Sequence, residues 1–227
     1  MSRLPVDEIN SRVAAVVDLD ENIANLDTED ATLRRKYMEM AQKEWAESSD
    51  WKALYVEFNM NISTSTGNAS VALPADFRKL AGMTRVAYDG TSDDQFPATL
   101  PTQQEQYDDL SKRVAVLGSP YGGYVLRIFG ASLSSGTSVK IPYYRSPVSL
   151  STGTTIPDVP NSEYLVQRTI AYVWEARGDE RFPLAKAEAQ NILANMIEYE
   201  NVFPQGADYD HVKTIEETRH NFRIGRN

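Results

Sequence analysis

The segment Leu54-Tyr-Val-Glu-Phe-Asn-Met60, with Ser63-Thr-Ser-Thr-Gly67 behind it, marks where the chain changes character. Tyr55, Glu57 and Asn59 alternate with Leu54, Val56, Phe58 and Met60. A period of two places polar residues on one face of a strand and apolar residues on the other. The Ser/Thr/Gly run supplies turn residues, and Ala69 to Leu73 resumes as a second strand. Before Trp51 the apolar residues recur every three or four positions instead. The chain therefore reads as helical first and β-rich afterwards.

Downstream, Met83–Tyr88, Arg113–Leu117, Tyr124–Phe129 and Val139–Tyr144 are further strand candidates. Nine of the 12 glycines and eight of the 11 prolines fall between residues 52 and 160, where they divide short strands and are foreign to helices. Gly118-Ser-Pro-Tyr-Gly-Gly123 reads as a tight turn between two of these strands. Pro101–Ser111, polar and glutamine-rich, reads as a helix or loop at one edge. Strands at this spacing suggest a small sandwich or partly open barrel.

Upstream, Pro5 begins a helix with Asp7 and Glu8 in its first turn, where the helix dipole favours carboxylates, and Val6, Ile9, Val13 and Val16 form its apolar face. A second helix starts near Thr28 as N-cap and carries Leu33, Tyr37, Met40, Ala41 and Trp45 in one stripe before Ser48-Ser-Asp ends it. Beyond the β block, a helix with Tyr164, Val166, Ile170, Val173 and Trp174 on one face closes at Gly178. Another opens near Pro183, presents Ala185, Ala189, Ile192, Leu193, Met196 and Ile197, and stops at Pro204-Gln-Gly206. The expected fold class is α+β: N- and C-terminal helices forming a bundle, with a small antiparallel β domain inserted. Its parts are residues 1–51, 52–160 and 161–206, followed by an extended arm at 207–227 with too few apolar residues to fold alone.

Composition narrows the chemistry. The 227 residues carry 23 Lys+Arg against 32 Asp+Glu, a net charge of −9, with two histidines and no cysteine. Disulfides, thiolate metal sites and cysteine nucleophiles are excluded. So acidic a chain does not hold nucleic acid by bulk attraction. No apolar run approaches the roughly 20 residues of a membrane-spanning helix, and the N-terminus does not resemble a secretory signal.

No motif supplies catalysis. His211 and His220 lie in the arm, nine residues apart, so one helix face does not hold both. Leu133-Ser-Ser-Gly136 and Leu117-Gly-Ser119 lack the pattern of a nucleophile elbow. The carboxylate pairs Asp93-Asp94, Asp108-Asp109, Asp179-Glu180 and Glu216-Glu217 sit in polar stretches and read as solvated charge. Asp18, Asp20, Asn22 and Glu29 match calcium-loop positions, but Ile23 stands where glycine is needed for the turn. Gly118–Gly123 has no Lys-Ser/Thr behind it and is no phosphate cradle. No cofactor or metal is expected. In the arm, however, Arg219, His220, Phe222, Arg223, Ile224 and Arg226 alternate basic and apolar residues, a pattern suited to docking on a partner.

The order of landmarks resembles that of the head-to-tail adaptor (connector, or tail-tubular) proteins of short-tailed phages. The resemblance rests on Glu44-Trp45 closing a helix, Trp51, the Ser/Thr/Gly turn and Val71-Ala-Leu-Pro-Ala-Asp-Phe-Arg78. Gly118-Ser-Pro-Tyr121, Ile141-Pro-Tyr-Tyr-Arg-Ser-Pro147 and Ile156-Pro-Asp-Val-Pro160 continue it, so that it spans about Asp7 to Tyr199. Asp89–Leu110 departs from the pattern.

The resemblance implies a structural virion protein rather than an enzyme, resident in the neck and in the host cytoplasm during assembly. It implies a ring, usually of twelve copies, below the portal, through which DNA passes without specific binding and beneath which the next tail or nozzle component attaches. It further implies that the C-terminal arm grips the portal, and the residues here that match are Arg219, Phe222, Arg223, Ile224 and Arg226. An acidic lumen and abundant aromatics for subunit contacts, 12 Tyr, seven Phe and three Trp, accord with it. The competing readings are another tail or head-completion component, and a carbohydrate-binding or enzymatic β module using Tyr121, Tyr143 and Tyr144.

Overall fold

The computed structural model describes residues 3–19, 28–62, 69–87, 93–99, 112–129 and 136–202. Among these residues the chain is a mixed α+β protein with four α-helices and two antiparallel sheets. It divides into two compact units, residues 1–41 with 150–227, and residues 42–149.

The first unit holds α1 (Val6–Val17), most of α2 (Thr28–Ser48), α3 (Ser162–Arg177) and α4 (Phe182–Val202). Helix α1 packs on α3, and α3 on α4. The free N–H groups at the start of α1 are satisfied from a distant loop: Val6 N–H donates to the Thr155 carbonyl (3.0 Å) and Asp7 N–H to that of Gly153 (2.9 Å). Pro5 therefore precedes the helix rather than opening it. Asn161, which the sequence reading overlooked, caps α3 by accepting from Glu163 N–H at 3.1 Å. Gly178 closes α3 at φ 68°, as the residue pattern indicates.

Two apolar stripes match expectation in part: Val6, Ile9 and Val13 of α1 and Ala41 and Trp45 of α2 are buried. In α1 the buried face is Val6, Ile9, Asn10, Val13 and Ala14, with Val16 exposed. In α2 it is Arg34, Met38, Ala41, Gln42, Trp45 and Ala46, while Leu33 and Met40 are exposed. The buried face of α2 is turned by about one position from its apolar stripe because polar residues bury there once paired. Arg34 is ion-paired with Asp18, and Gln42 Nε2 donates to the Val148 carbonyl (2.6 Å). Thr28 is the first helical residue rather than the cap before it. On α4, Ala185, Ala189 and Met196 are buried as expected, with Ile192, Leu193 and Ile197 half-buried.

The second unit holds the last turns of α2, a 3-10 turn at Lys52–Leu54 and eight strands. These are β1 (Tyr55–Asn61), β2 (Ala69–Ala72), β3 (Phe77–Leu80), β4 (Thr84–Ala87), β5 (Asp93–Phe96), β6 (Arg113–Ser119), β7 (Gly123–Phe129) and β8 (Ser138–Arg145). One sheet runs β1-β8-β4-β5, with β3 also on β8; the other runs β2-β7-β6. Both contribute to one apolar cluster, including Val71, Leu126 and Ile128 from the second sheet and Val86, Phe96 and Ile141 from the first. The alternation read from Tyr55 to Met60 survives as strict exposed–half-buried alternation along β1.

Strand β8 holds the first sheet together. One edge pairs with β1 along its length, while the other pairs with β4 at Ser138–Lys140 and with β3 at Tyr143–Arg145. Pro142 falls between those two partners and directs its carbonyl to Ala81 N–H (2.9 Å), so the missing N–H of proline falls at a gap in the ladder. Strands β3 and β5 were not anticipated. Phe-Arg-Lys-Leu and Asp-Asp-Gln-Phe have low strand propensity, and only pairing with β8 and β4 extends them. Between β6 and β7 the turn is as read. Gly118 takes φ 113°, and a Cβ there would lie 2.2 Å from the Gly123 carbonyl oxygen.

Candidate functional site

Among the described residues, several groups weighed for chemistry take structural bonds. Asp18, the first of the calcium-like positions, accepts from Arg177 Nη1 (3.1 Å) through Oδ1 and from Arg34 Nη2 through Oδ2. Arg34 is only 2% exposed. Burial alone would raise the Asp18 carboxyl, but the two guanidiniums outweigh it and hold it below the ordinary carboxylate range. Asp20 and Asn22 lie outside the described residues.

Asp179 accepts from Arg181 Nη2 (2.7 Å) and Nε (3.0 Å), and these bonds with the Arg181 backbone N–H push it down to about 2. Arg181 also stacks on the Trp174 ring, 4.5 Å from its centroid, which fastens the α3–α4 turn. Asp94 is paired with Lys112. Ser119 Oγ accepts from Gly122 N–H (3.2 Å) within the β6–β7 turn and is a turn residue. His211, His220, Asp108, Asp109, Glu216 and Glu217 lie outside the described residues. Among the described residues, no group of three or more His, Asp or Glu could hold a metal ion. No helix among them is long and apolar enough to cross a membrane.

Some of the landmark segments meet instead, while the Ser63–Gly67 turn lies outside the described residues. In the second unit, Asp76 of the Val71–Arg78 stretch meets the Ile141–Pro147 stretch twice. Its Oδ1 accepts the Tyr143 hydroxyl (3.0 Å), and its carbonyl accepts Ser146 N–H (2.6 Å). Burial and this bond push the Tyr143 phenol up to about 12. Phe77 stacks on Tyr143 (5.7 Å) and meets Tyr124 edge-on (5.3 Å). Arg78 Nη1 donates to the Ala46 carbonyl at the end of α2, and Lys79 pairs with Asp50. A cation on the last carbonyls of a helix suits the negative end of its dipole. Trp51 stacks on Trp45 at 5.0 Å and donates through Nε1 to the Trp45 carbonyl. These motifs are therefore interlocks between segments. The sequence held a signal for them in the isolated Asp-Phe-Arg after a proline turn, but nothing in it identified the partners.

Of the three tyrosines considered for a glycan site, Tyr143 and Tyr144 are buried in β8, so they offer no stacking surface to a sugar. Tyr121, at the tip of the β6–β7 turn, is fully exposed. Leu184 and Tyr199 on α4 are also largely exposed. An open groove of about 270 Å³ lies on the outer face of the first sheet, lined by Tyr55, Glu57, Met83, Arg85, Gln95 and Lys140 among others. The arm residues expected to dock, Arg219, Phe222, Arg223, Ile224 and Arg226, lie outside the described residues.

These features define an α+β chain with two antiparallel sheets, in which several polar side chains join distant segments and some large apolar residues stand exposed. The chain belongs to the SU10 adaptor protein family, whose family model matches residues 6–208. This is a family of phage head-to-tail adaptors, structural proteins of the virus. No curated protein matches the chain.

Proposed function

We propose that this protein is a virion structural component of the phage neck. Copies form a ring below the portal, DNA crosses the ring, and the next tail or nozzle component attaches beneath. The family match over residues 6–208 carries this reading. The net charge of −9, repeated around a ring, supports it, because a conduit that neutralised phosphates would retard the DNA passing through. Fully exposed Tyr121 and the exposed Leu184 and Tyr199 of α4 supply the aromatic and apolar contacts favoured at subunit interfaces.

In this reading the helices of 1–51 and 161–206 form a bundle that carries the β insertion of 52–160. Residues 207–227 reach the portal, with Phe222 and Ile224 burying and Arg219, Arg223 and Arg226 pairing with acidic groups. The ring is of the size usual for such adaptors, twelve copies. Electron microscopy of the protein mixed with its portal tests this. A ring seated on the portal, with interfaces above about 1,000 Å² per contact, is expected. A chain that never joins the portal would refute it.

A further inference from the structure

Strand β1 ends the first sheet and has one edge without a partner strand among the described residues. The register decides which backbone groups face that edge. Glu57 stands opposite Pro142, and the Pro142 carbonyl turns away from β1 to the Ala81 N–H (2.9 Å). Opposed residues of an antiparallel pair point their backbone groups either both towards each other or both away. Glu57 therefore directs its N–H and C=O to the open edge, and by alternation so do Tyr55, Asn59 and Asn61. The Tyr55 N–H is taken by the Lys52 carbonyl. Among the described residues, no backbone bond takes up the outward groups of Glu57, Asn59 or Asn61.

An open edge invites pairing with another chain, and folded proteins blunt such edges with proline, lysine, a bulge or a short strand. Strand β1 has none of these. It runs for seven residues, Tyr-Val-Glu-Phe-Asn-Met-Asn, in unbroken register with β8. Tyr55, Glu57, Asn59 and Asn61 are exposed, which leaves the strand accessible. On the opposite face Val56, Phe58 and Met60 pack against the core cluster yet stay half-buried. A further strand would complete both the ladder and that apolar cover.

We infer that the open edge of β1 takes β1 of a second copy, antiparallel, about a twofold axis at Phe58. This register pairs all seven residues of both strands. Phe58 meets Phe58 and Val56 meets Met60 on the half-buried face, while Glu57 meets Asn59 and Tyr55 meets Asn61 on the exposed one. Apolar residues thus meet apolar ones, and each Glu57 carboxylate faces an amide instead of its twofold mate. The outward N–H groups of Glu57, Asn59 and Asn61 supply about six hydrogen bonds between the copies. An axis at Glu57 would oppose two carboxylates, and any other register leaves strand ends unpaired. The strand is complementary to itself, so a second copy is the partner it fits. Such a contact is isologous and closes at two copies. It is therefore distinct from the contacts of the proposed ring, and it covers in the free protein an edge that would otherwise seed aggregation.

The test uses the full chain without its portal. Sedimentation of the wild type should show a dimer at about 100 μM, and amide exchange at Glu57, Asn59 and Asn61 should slow as concentration rises. Asn59→Pro removes an outward N–H that the subunit itself does not use, so circular dichroism should be unchanged while dimer affinity falls about tenfold or more. The chain has no cysteine, so Phe58→Cys and Glu57→Cys each introduce a single thiol. The two copies of position 58 form a non-hydrogen-bonded pair with Cα atoms about 4.5 Å apart, inside the disulfide range, whereas those of position 57 lie beyond about 7 Å. Mild oxidation should therefore link copies of Phe58→Cys and leave copies of Glu57→Cys unlinked. A monomeric wild type at that concentration overturns the inference. So does a dimer that Asn59→Pro leaves intact, or one in which Phe58→Cys links no better than Glu57→Cys. Where a variant fails to fold, the wild-type amides decide, and exchange that does not change with concentration overturns the inference. The adaptor reading stands or falls separately, on whether rings form on the portal.

Discussion

Asp18→Ala is the most exacting test of how the first unit is held. The wild-type carboxylate is 28% exposed and neutralises Arg34, which is 2% exposed. Arg34 Nη1 already lacks a partner, so loss of the carboxylate would leave Nη2 without its acceptor as well. Leaving a fully buried charge uncompensated costs about 3–5 kcal/mol. Because water reaches Asp18, a loss of about 2 kcal/mol is expected, discounted for that exposure. In a chain of this size that corresponds to a fall of about 4–8 °C in melting temperature.

The pH dependence has a definite sign. The folded Asp18 carboxyl lies below its unfolded value, so its stabilisation is complete above the ordinary carboxylate range and is lost as pH falls through the depressed folded value. The deficit of Asp18→Ala should thus be constant near neutrality and close at strongly acid pH. Adding Arg34→Met should recover much of the loss, since an apolar side chain needs no counter-charge there. Urea unfolding followed by circular dichroism, with an unchanged denaturant slope, measures each term. A deficit below about 0.5 kcal/mol, the ordinary range of surface changes, or one that persists unchanged in strong acid, would refute the reasoning.

Three further outcomes are expected. Gly118→Ala should destabilise by about 2–3 kcal/mol, because its φ of 113° and the Gly123 carbonyl 2.2 Å away leave no room for a Cβ; Gly122→Ala, with only Ser119 Oγ at 3.5 Å, is the mild control in the same unfolding assay. Tyr143→Phe should cost about 1–2 kcal/mol, through the lost hydroxyl and the unpaired Asp76. The wild-type phenol is raised from 10 to about 12, so its contribution is complete below pH 10 and fades as pH rises towards 12; tyrosinate absorbance should show this late titration in the wild type and lose it in the variant. Truncation after Gly206 should leave circular dichroism and melting unchanged while weakening portal binding, and a truncated chain that failed to fold would place the arm in the core.

Much of the α+β class was legible because periodicity is a local property. The strands at Tyr55, Ala69, Thr84, Arg113, Gly123 and Ser138 announce themselves through alternation and turn residues, and Gly178 through its position after an apolar helix. Phe77–Leu80 and Asp93–Phe96 did not, since their extended form comes from neighbours rather than from their own side chains. The candidate site was less legible still. Asp76 and Tyr143 are 67 positions apart, and only the folding of the second unit brings them within a hydrogen bond.

By itself, then, the sequence determined the order of helix, strand and helix, excluded thiolate chemistry and carried the landmarks of the adaptor family. Those follow from residue type and spacing, which need no partner. The tertiary structure decided which face of α2 is buried and what Asp18 and Asp76 do. Each of these depends on a charge or hydrogen bond being answered from a distant segment, and only packing brings the two together.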